Sequence, residues 1–493
     1  MYQVPHYIGG KKIPPSGKTK PIYNPATGEQ IGEVALADIT VINQAVTAAT
    51  AAFNDWSKFP PIKKARILYK FKALLESNIT DLAKIITKEH GKTLEDAKGS
   101  VQRGIDVVEF ACGIPSHLQG KYMENVATDI DSFTLKQPIG VCAGITPFNF
   151  PAMIPLWMFP ISIACGNSFI LKPSEKDPSC ALKIVELAIE AGVPDGVVNI
   201  VQGDDQAVNM LLQHPDIAAI SFVGSTKVAE HVYKTAAQTG KRVQAFAGAK
   251  NHCVLMGDAD LKHAADNIIG AAYGSAGERC MAISVVVTVG DEVADNLIAE
   301  IKSGVAKLKI GPGDKPNIDM GPLITKEHLQ RVSSYLDIGL KEGAKLVIDG
   351  RDQKFNQGYF LGASLFDCVS PNMQIYKDEI FGPILSIVRT NSFAEALDIV
   401  NNNEFGNGAA IFTRDGEIAH AFSSKVKTGM VGVNIPIPVP SAYHSFGGNK
   451  KSMFGDIGMH GAEGINFFTR QKKVLQRWIK SKDSSKFIMP THE

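Results

Sequence analysis

Apolar residues recur every three to four positions in two stretches near the start of the chain, residues 41–56 and 62–90. This spacing is the helical period, so it predicts amphipathic helices on the surface of the fold. A third helix is predicted over residues 94–111, and it carries Arg103. The next stretch, residues 124–145, alternates polar and β-branched residues and predicts extended structure that can pair at a sheet edge.

The chain then alternates between short apolar runs and amphipathic stretches. Such alternation indicates a parallel sheet with helices on both faces, and sheets of this kind bind ligands at the carboxyl ends of their strands. The predicted strands lie near residues 139–146, 168–172, 197–202, 218–223 and 242–247. The predicted helices lie near residues 152–164, 178–191, 204–213 and 225–239.

A second alternating block covers residues 251–440, and we expect the chain to pass from one block to the other at residues 248–251. The two blocks together predict an α/β fold with two doubly wound parallel-sheet domains. Candidate strands of the second block are residues 254–259, 284–290, 344–350, 384–390 and 429–434.

One stretch, residues 137–171, carries no charged side chain and is long enough to cross a bilayer. Its prolines remove backbone donors that lipid could not replace, so a membrane span is disfavoured. We predict instead a buried strand, an irregular loop and a deeply packed helix. The prolines are Pro138, Pro147, Pro151, Pro155 and Pro160.

Length and charge exclude several classes of protein. The chain has 493 residues, which at about 150 residues per domain suggests roughly three domains. Lysine and arginine number 51 and aspartate and glutamate number 50, so the formal net charge is +1. Such a chain has no strong field to attract nucleic acid or an anionic membrane, and we expect neither as a partner.

The cysteines and histidines predict no metal site. The 7 cysteines include no CxxC pair, and the 12 histidines include no HxH or HxxxH pair. Unpaired cysteines are typical of a reducing compartment. The first residues lack both the apolar core of a secretory signal and the arginine-rich pattern of a transit peptide, so we expect a cytoplasmic protein.

The chain contains no GxGxxG motif, so other features must support binding of a dinucleotide. Gly224 and Ser225 lie between a predicted strand and a predicted helix, a geometry that points backbone N–H groups at a phosphate. Lys172 and Glu175 follow another strand end and could hold a ribose or an adenine edge; a solvated loop is the alternative. Glu379, just before a tight turn, could bind a pair of hydroxyl groups.

Two residues are candidates for chemistry. Cys280 follows a glycine- and alanine-rich run, residues 270–277, that lets backbone segments approach closely. Arg279 beside it could favour the nucleophilic thiolate, and an inert buried cysteine is the alternative. Asn149, between aromatic residues of the uncharged stretch, is either a satisfied core amide or a donor aimed at a substrate oxygen.

The order and spacing of five motifs resemble those of the aldehyde dehydrogenase superfamily. The motifs are LKPSE (171–175), FVGS (222–225), the Cys280 segment, EIFGP (379–383) and SFGG (445–448). A narrower similarity is to the methylmalonate-semialdehyde dehydrogenases, the branch that acylates coenzyme A (CoA). The segments that carry it are residues 147–160, 248–252, 278–282 and 431–440.

The resemblance implies an aldehyde-dehydrogenase-like fold with a β extension that pairs subunits into a homotetramer. It implies an NAD-binding domain of residues 1–115 and 139–248 and a catalytic domain of residues 249–446. Residues 116–138 and 465–493 would form the oligomerisation extension and tail.

The same resemblance implies roles for individual residues. Cys280 matches the nucleophile, and Asn149 matches the side-chain donor of the oxyanion hole. Arg103 and Arg279 match residues that bind a substrate carboxylate. The residues implied for NAD binding are Phe148, Lys172, Glu175, Gly224, Ser225, Glu379 and Phe381.

The chain departs from the hydrolytic members of the superfamily at Phe246, where those members carry a glutamate that activates water. A CoA thiolate can release a thioacyl enzyme without such a base. The expected activity is NAD-dependent oxidation of methylmalonate or malonate semialdehyde, with CoA as co-substrate, to propionyl-CoA or acetyl-CoA, CO2 and NADH. Three alternatives stay open: a hydrolytic aldehyde dehydrogenase, a non-catalytic member of the fold, and a cysteine acyltransferase without redox chemistry.

Overall fold

Two sheets form the framework of the fold in the computed structural model, which describes residues 1–15 and 17–478. The first sheet has eight strands, and its five central strands run parallel. The flanking strands are antiparallel to their neighbours. Across the sheet the order is Met453–Phe454, Arg242–Phe246, Ile217–Val223, Val141–Ile145, Ser168–Lys172, Val198–Ile200, His6–Ile8 and Lys11–Ile13.

The helices of the first half of the chain follow the predicted periodicity with one break. The predicted helical stretch 62–90 is interrupted at Asn78, where φ is −105° and ψ is 9°. The Asn78 Nδ2 donates to the carbonyl of Leu74 at 2.8 Å, a local bond that competes with the helical ladder. The helices are Ile39–Trp56, Pro61–Ser77, Ile79–His90, Leu94–Cys112, Met153–Ala164, Ser179–Glu190, Asp205–Gln213 and Thr226–Gln238.

The second sheet has seven strands, all parallel except one edge strand. The predicted α/β class is therefore confirmed. The sequence patterns missed two strands of this sheet, Ser364–Asp367 and Gly408–Phe412; the second is mostly glycine and alanine, which have low strand propensity. The order is Lys345–Ile348, Ser364–Asp367, Ile384–Thr390, Ile283–Val289, Asn251–Leu255, Gly408–Phe412 and Met430–Val433.

The helices that accompany the second sheet alternate with its strands along the chain. The chain passes between the two sheets over residues 247–250, because Arg242–Phe246 belongs to the first sheet and Asn251–Leu255 to the second. The helices are Leu261–Tyr273, Asp291–Val305, Lys326–Lys341, Gln374–Lys377, Phe393–Asn402 and Gly416–Lys425.

Smaller sheets complete the fold. Tyr122–Ala127, Ile130–Pro138 and Thr469–Arg477 form an antiparallel sheet in the segment expected to be the oligomerisation extension. The last part of the expected tail, residues 479–493, lies outside the described residues. The other elements are the strands Tyr2–Val4, Thr19–Asn24, Glu29–Ala35, Phe405–Gly406 and Asn449–Lys450 and the helices Ile114–His117 and Gly461–Phe467.

Most of the uncharged stretch of the sequence is buried. Every residue of the helix Met153–Ala164 is buried, and so is every residue of the strand Val141–Ile145. Within the described ranges, no helix is long and apolar enough to cross a membrane. In the same ranges, no three His, Cys, Asp or Glu side chains are grouped as metal ligands.

Candidate active site

A helix start at the end of one central strand is left uncapped. The strand Ile217–Val223 runs through Gly224 and Ser225 into the helix Thr226–Gln238. Ser225 is extended, and its side chain does not cap the helix. The first backbone N–H groups of the helix therefore have no Ser225 acceptor, and such a terminus favours an anion.

A second strand end carries an ion pair. Lys172 ends the strand Ser168–Lys172, and its Nζ lies 3.4 Å from Oε2 of Glu175. Burial lowers the pKa of Lys172, and the carboxylate opposes that shift. Burial alone would raise the pKa of Glu175, but Lys172, a backbone hydrogen bond, Lys20 and Lys176 together outweigh burial and hold this pKa below its ordinary value. The strand end therefore presents a charged carboxylate.

The passage between the two sheets brings Glu379 to the same region. The Gly248 N–H donates to Oγ1 of Thr226 at 3.1 Å, and the Ala249 N–H donates to Oε1 of Glu379 at 2.9 Å. Burial raises the pKa of Glu379 to about 7, although the Ala249 N–H and Lys250 oppose the shift. The uncapped helix start, the passage between the two sheets and Glu379 are therefore neighbours.

Phe381 and Phe148 pack against each other near Glu379. Phe381 has a φ of 58°, a left-handed conformation that bulky residues rarely adopt. The two rings meet edge to face, with centroids 5.9 Å apart. Because Phe148 directly precedes Asn149, this contact joins the Glu379 region to the loop that carries Asn149.

Cys280 follows a strained turn. This turn, Gly274–Gly277, is called here the thiol turn, and it precedes the strand Ile283–Val289. Ser275 and Ala276 within it have φ of 54° and 51°. Strain of this kind persists only where the surroundings fix the backbone, and it is concentrated at functional sites.

Two side-chain amides hold the backbone of Cys280. The Nδ2 atoms of Asn251 and Asn407 donate to its carbonyl at 2.9 and 3.1 Å. Burial raises the pKa of the thiol to about 12; Glu379 adds to the shift and Lys92 opposes it. In this conformation the thiol is therefore protonated at neutral pH, and a nearby positive charge is needed to favour the thiolate.

Asn149 lies just before the buried helix Met153–Ala164. The fully buried Lys92 donates from Nζ to the Asn149 carbonyl at 2.7 Å, and this Nζ lies 4.2 Å from the centre of the Phe150 ring. The side-chain amide of Asn149 forms no hydrogen bond within residues 1–15 and 17–478. The amide is therefore available to a ligand.

Cys280 lines a cavity of about 210 Å³ together with both candidate arginines. The Nη2 of Arg279 donates to Oδ1 of Asp96 at 2.8 Å. Arg103 is exposed, with Nη2 3.4 Å from the Val439 carbonyl, and it forms no ion pair with any part of the chain that the structure describes. The other lining residues are Gly99, Ser100, Phe150, Met153, Trp157, Met281, Ile437 and Phe446.

Asp96 and Lys92 were not predicted from the sequence to be site residues. Oδ2 of Asp96 lies 4.0 Å from Nζ of Lys92. Burial alone would raise the pKa of Asp96, but Lys92 and Arg279 outweigh it and hold this pKa below its ordinary value. Arg279, expected to favour the Cys280 thiolate, is instead committed to Asp96. The helical period could have revealed Asp96, because it lies seven positions before Arg103 on one helix face.

Comparison with known proteins gives the family. The Aldehyde dehydrogenase family profile matches residues 13–474. A malonate-semialdehyde dehydrogenase from Pseudomonas aeruginosa is 55% identical over 491 residues, which covers 99% of each chain. A malonate-semialdehyde dehydrogenase from Halalkalibacterium halodurans is 49% identical over 475 residues, covering 96% of this chain and 98% of that protein.

Solved structures show the same likeness. A crystal structure described as a methylmalonate-semialdehyde dehydrogenase from Sinorhizobium meliloti, complexed with NAD, has a TM-score of 0.97 at 53% identity and covers 98% of this chain and 99% of its own. The methylmalonate-semialdehyde dehydrogenase from Oceanimonas doudoroffii has a TM-score of 0.96 at 48% identity, with the same shares of 98% and 99%. The chain therefore belongs to the aldehyde dehydrogenase family, as the resemblance of its motifs predicted.

Proposed function

We propose that this protein catalyses the NAD-dependent, CoA-acylating oxidation of methylmalonate semialdehyde and malonate semialdehyde. The products are propionyl-CoA or acetyl-CoA, CO2 and NADH. The proposal is supported by likeness along the whole chain to malonate-semialdehyde dehydrogenases that are 48% to 55% identical. It is also supported by the likeness to a methylmalonate-semialdehyde dehydrogenase structure that contains NAD.

The observation that carries the proposal is that the Cys280 cavity has one carboxylate in its lining and that this carboxylate is already paired. Among the residues described, one carboxylate lines it, that of Asp96, and it is paired with Arg279. Phe246, at the position of the glutamate of hydrolytic members, is buried near Phe446 with ring centroids 6.1 Å apart. A substrate in this cavity therefore meets two cations and a thiol, and the carboxylate that lines the cavity is already paired with Arg279.

Cys280 is the proposed nucleophile and Asn149 the proposed oxyanion donor. The Cys280 thiol loses its proton to solvent and the thiolate attacks the aldehyde carbon. A C–S bond forms, and the carbonyl electron pair moves to oxygen. The Asn149 amide and the Cys280 backbone N–H stabilise that oxyanion. Loss of hydride from the same carbon restores the carbonyl as a thioester.

Release of the acyl group needs no base at position 246. A CoA thiolate attacks the thioester carbonyl, a new C–S bond forms, and Cys280 leaves as a thiolate. A thiolate is a far better nucleophile at neutral pH than water without a base. Phe246 is therefore compatible with acyl transfer to CoA and poorly compatible with hydrolysis.

Arg103 and Arg279 are the proposed ligands of the substrate carboxylate. Guanidinium groups form forked, charge-assisted hydrogen bonds to carboxylates. This carboxylate is β to the thioester carbonyl. Cleavage of the C–C bond to this carboxylate releases CO2, and the electron pair passes into the thioester carbonyl as an enolate. A proton from solvent then completes the methyl carbon of the acetyl group or the methylene carbon of the propionyl group.

The residues around Cys280 and the strand ends fit NAD. Lys172 and Glu175 would hold the adenosine ribose, and the charge on Glu175 disfavours a 2′-phosphate, which favours NAD over NADP. The uncapped helix start after Ser225 fits a diphosphate. When bound, NAD accepts the hydride. The remaining proposed contacts are Gly224 with the diphosphate and Phe148, Glu379 and Phe381 with the nicotinamide ribose.

We further propose a cytoplasmic homotetramer with the domain boundaries stated above. The antiparallel sheet that contains Ile130–Pro138 exposes large apolar side chains, which supports burial in a subunit interface. They include Tyr122 at 64% exposure, Met123 at 61% and Leu475 at 72%.

A second candidate function is hydrolysis to a carboxylic acid, with Glu379 as the base. Two observations favour this alternative: burial raises the pKa of Glu379 to about 7, and Glu379 lines a small cavity together with Cys280. An assay of NADH formation from malonate semialdehyde with and without CoA separates the two. Steady turnover only with CoA, and acetyl-CoA by mass spectrometry, supports the proposal; equal turnover without CoA supports hydrolysis.

A further inference from the structure

Glu278 is a fully buried carboxyl group that the proposed reaction does not use. It lies two residues before Cys280 and is 0% exposed. Its Oε1 accepts a hydrogen bond from the Ile324 N–H at 3.1 Å. Its Oε2 has no hydrogen-bond partner among the residues that the structure describes. An ionised carboxylate in such a place is costly, so the state of this group needs an explanation.

Two histidines and three cations face Glu278. Nε2 of His328 lies 3.4 Å from Oε1, and Nε2 of His90 lies 3.9 Å from Oε2. The cations that act on it from farther away are Lys176, Lys92 and Arg331. Burial outweighs their effect and raises the pKa of Glu278 to about 8, so the group is protonated at neutral pH.

The single ring N–H of His328 has two acceptors within reach. Burial lowers the pKa of His328 to about 4, so at neutral pH the ring carries one proton. Nε2 lies 2.7 Å from the carbonyl oxygen of Phe381, which can only accept, so the proton is on Nε2. Oε1 of Glu278 is the more distant acceptor. Ionisation of Glu278 would make it the preferred acceptor of the His328 N–H, because a carboxylate accepts a hydrogen bond more strongly than a neutral carbonyl.

The backbone at Phe381 packs directly on the thiol turn. Gly277 has a φ of 73° and lies so close to the carbonyl of Gly382 that a Cβ would overlap it. The rings of Phe381 and His328 both pack against Phe148, with centroids 5.9 and 6.3 Å from it. A shift of the Phe381 carbonyl therefore displaces the residues that are expected to contact the nicotinamide ribose.

We propose that Glu278 is a positioning residue that must be neutral for tight cofactor binding. Neutral Glu278 leaves the His328 N–H on the Phe381 carbonyl, which fixes the left-handed backbone of Phe381 against the thiol turn. Ionised Glu278 draws that N–H to itself and releases the carbonyl. The inference rests on the proposed function, because its readout is the affinity for NAD.

The test measures the dissociation constant for NAD by calorimetry from pH 6.5 to pH 9.5. Two proteins are compared, Cys280→Ala and the double variant Cys280→Ala/Glu278→Gln. The shared Cys280→Ala change removes titration of the thiol, and Glu379 and Lys250 titrate in both proteins. Glutamine has the shape of neutral glutamate and cannot ionise. Melting temperatures measured at pH 7 establish that both variants are folded.

The first protein is expected to bind NAD about tenfold more weakly at pH 9 than at pH 7, because only the neutral fraction binds tightly. The double variant is expected to lose this dependence and to bind as tightly at pH 9 as at pH 7. A third protein, Cys280→Ala/His328→Phe, keeps an aromatic ring but has no donor, and it is expected to bind weakly at every pH.

Equal pH dependence in the first two proteins overturns the inference and leaves the proposed function intact. Tight binding by the His328→Phe protein also overturns it, because the hydrogen bond to Phe381 would then be unimportant. Failure of every protein to bind NAD at any pH overturns the proposed function, and the inference with it.

Discussion

Arg279 and Asp96 form an ion pair across the Cys280 cavity, with 2.8 Å between Nη2 and Oδ1. The pair joins the segment next to the thiol to the helix that also carries Arg103. Arg103 lines the same cavity but has no such partner in the described part of the chain. The two arginines therefore differ in their partners: Arg279 is paired with Asp96, whereas Arg103 has no ion-pair partner in the described part of the chain.

Arg103→Ala should lower kcat/KM for malonate semialdehyde by roughly 30-fold or more. A substrate that fills the cavity would shield its carboxylate and Arg103 from water. Loss of one partner of such a shielded charge pair costs about 2 to 5 kcal/mol, and 2 kcal/mol corresponds to that factor. Uncharged propionaldehyde lacks the carboxylate, so its kcat/KM should change much less. Steady-state assays of both aldehydes with NAD and CoA measure the ratio, and equal losses on both would assign Arg103 a structural role.

Arg279→Ala should also lower kcat/KM for malonate semialdehyde relative to propionaldehyde. It should in addition lower the stability of the protein, because it leaves Asp96 without its closest cation. Arg103→Ala should leave the melting temperature nearly unchanged, since Arg103 is exposed and unpaired within the described ranges. Thermal unfolding of the two variants under the same conditions tests this expected difference in melting temperature. An identical melting temperature for both would mean that the Arg279–Asp96 pair contributes little.

The positions of Lys172 and Ser225 could be predicted from the sequence, because each follows an apolar run whose length and period are local properties. The Arg279–Asp96 pair could not be predicted in this way. Its members are 183 positions apart, and their contact depends on how two distant segments pack in the folded chain. The helical period places Asp96 on the helix face that carries Arg103, but nothing in the local pattern indicates that Arg279 is its partner.

The strand Gly408–Phe412 shows the same limit for the fold. Its glycine and alanine residues carry little strand signal, yet it is an inner strand of its sheet, and the adjacent Asn407 donates a hydrogen bond to the carbonyl of Cys280. Burial between two strands determines its conformation more than its own propensity does. Sequence patterns therefore predicted the strands with strong β-branched runs and missed one that supports the site.

Cys280→Ala should abolish NADH formation while leaving the affinity for NAD nearly unchanged, because the thiol forms the covalent bond and contributes little to cofactor binding. Cys253→Ala and Cys112→Ala are matched controls, since both cysteines are buried and are expected to affect only stability. NADH absorbance and calorimetric titration with NAD measure the two properties. Turnover retained by Cys280→Ala would remove it as the nucleophile.

Glu278→Gln should change how stability depends on pH. The pKa of Glu278 is raised from 4.5 to about 8 in the folded protein, so its stabilising contribution is complete below about pH 4.5 and is lost as pH rises to 8. The variant lacks this loss. The unfolding free energy of the variant minus that of the wild type should therefore rise by up to about 1.4 kcal/mol per pH unit between pH 5 and 8. Above pH 8 this difference should be constant. Urea midpoints measured across this range test the slope, and parallel curves would mean that Glu278 is ionised when folded.

The final prediction concerns Phe246 and the fate of the thioester. With no side chain at 246 able to activate water, Cys280 should be acylated once per active site and should then wait for CoA. Rapid mixing of enzyme, NAD and malonate semialdehyde without CoA should give a burst of NADH close to the concentration of active sites, followed by a slow phase. Addition of CoA should restore steady turnover and form acetyl-CoA. Carboxylic acid formed without CoA at the full rate would show that another group, with Glu379 the first to test, activates water, and the protein would then be a hydrolytic aldehyde dehydrogenase.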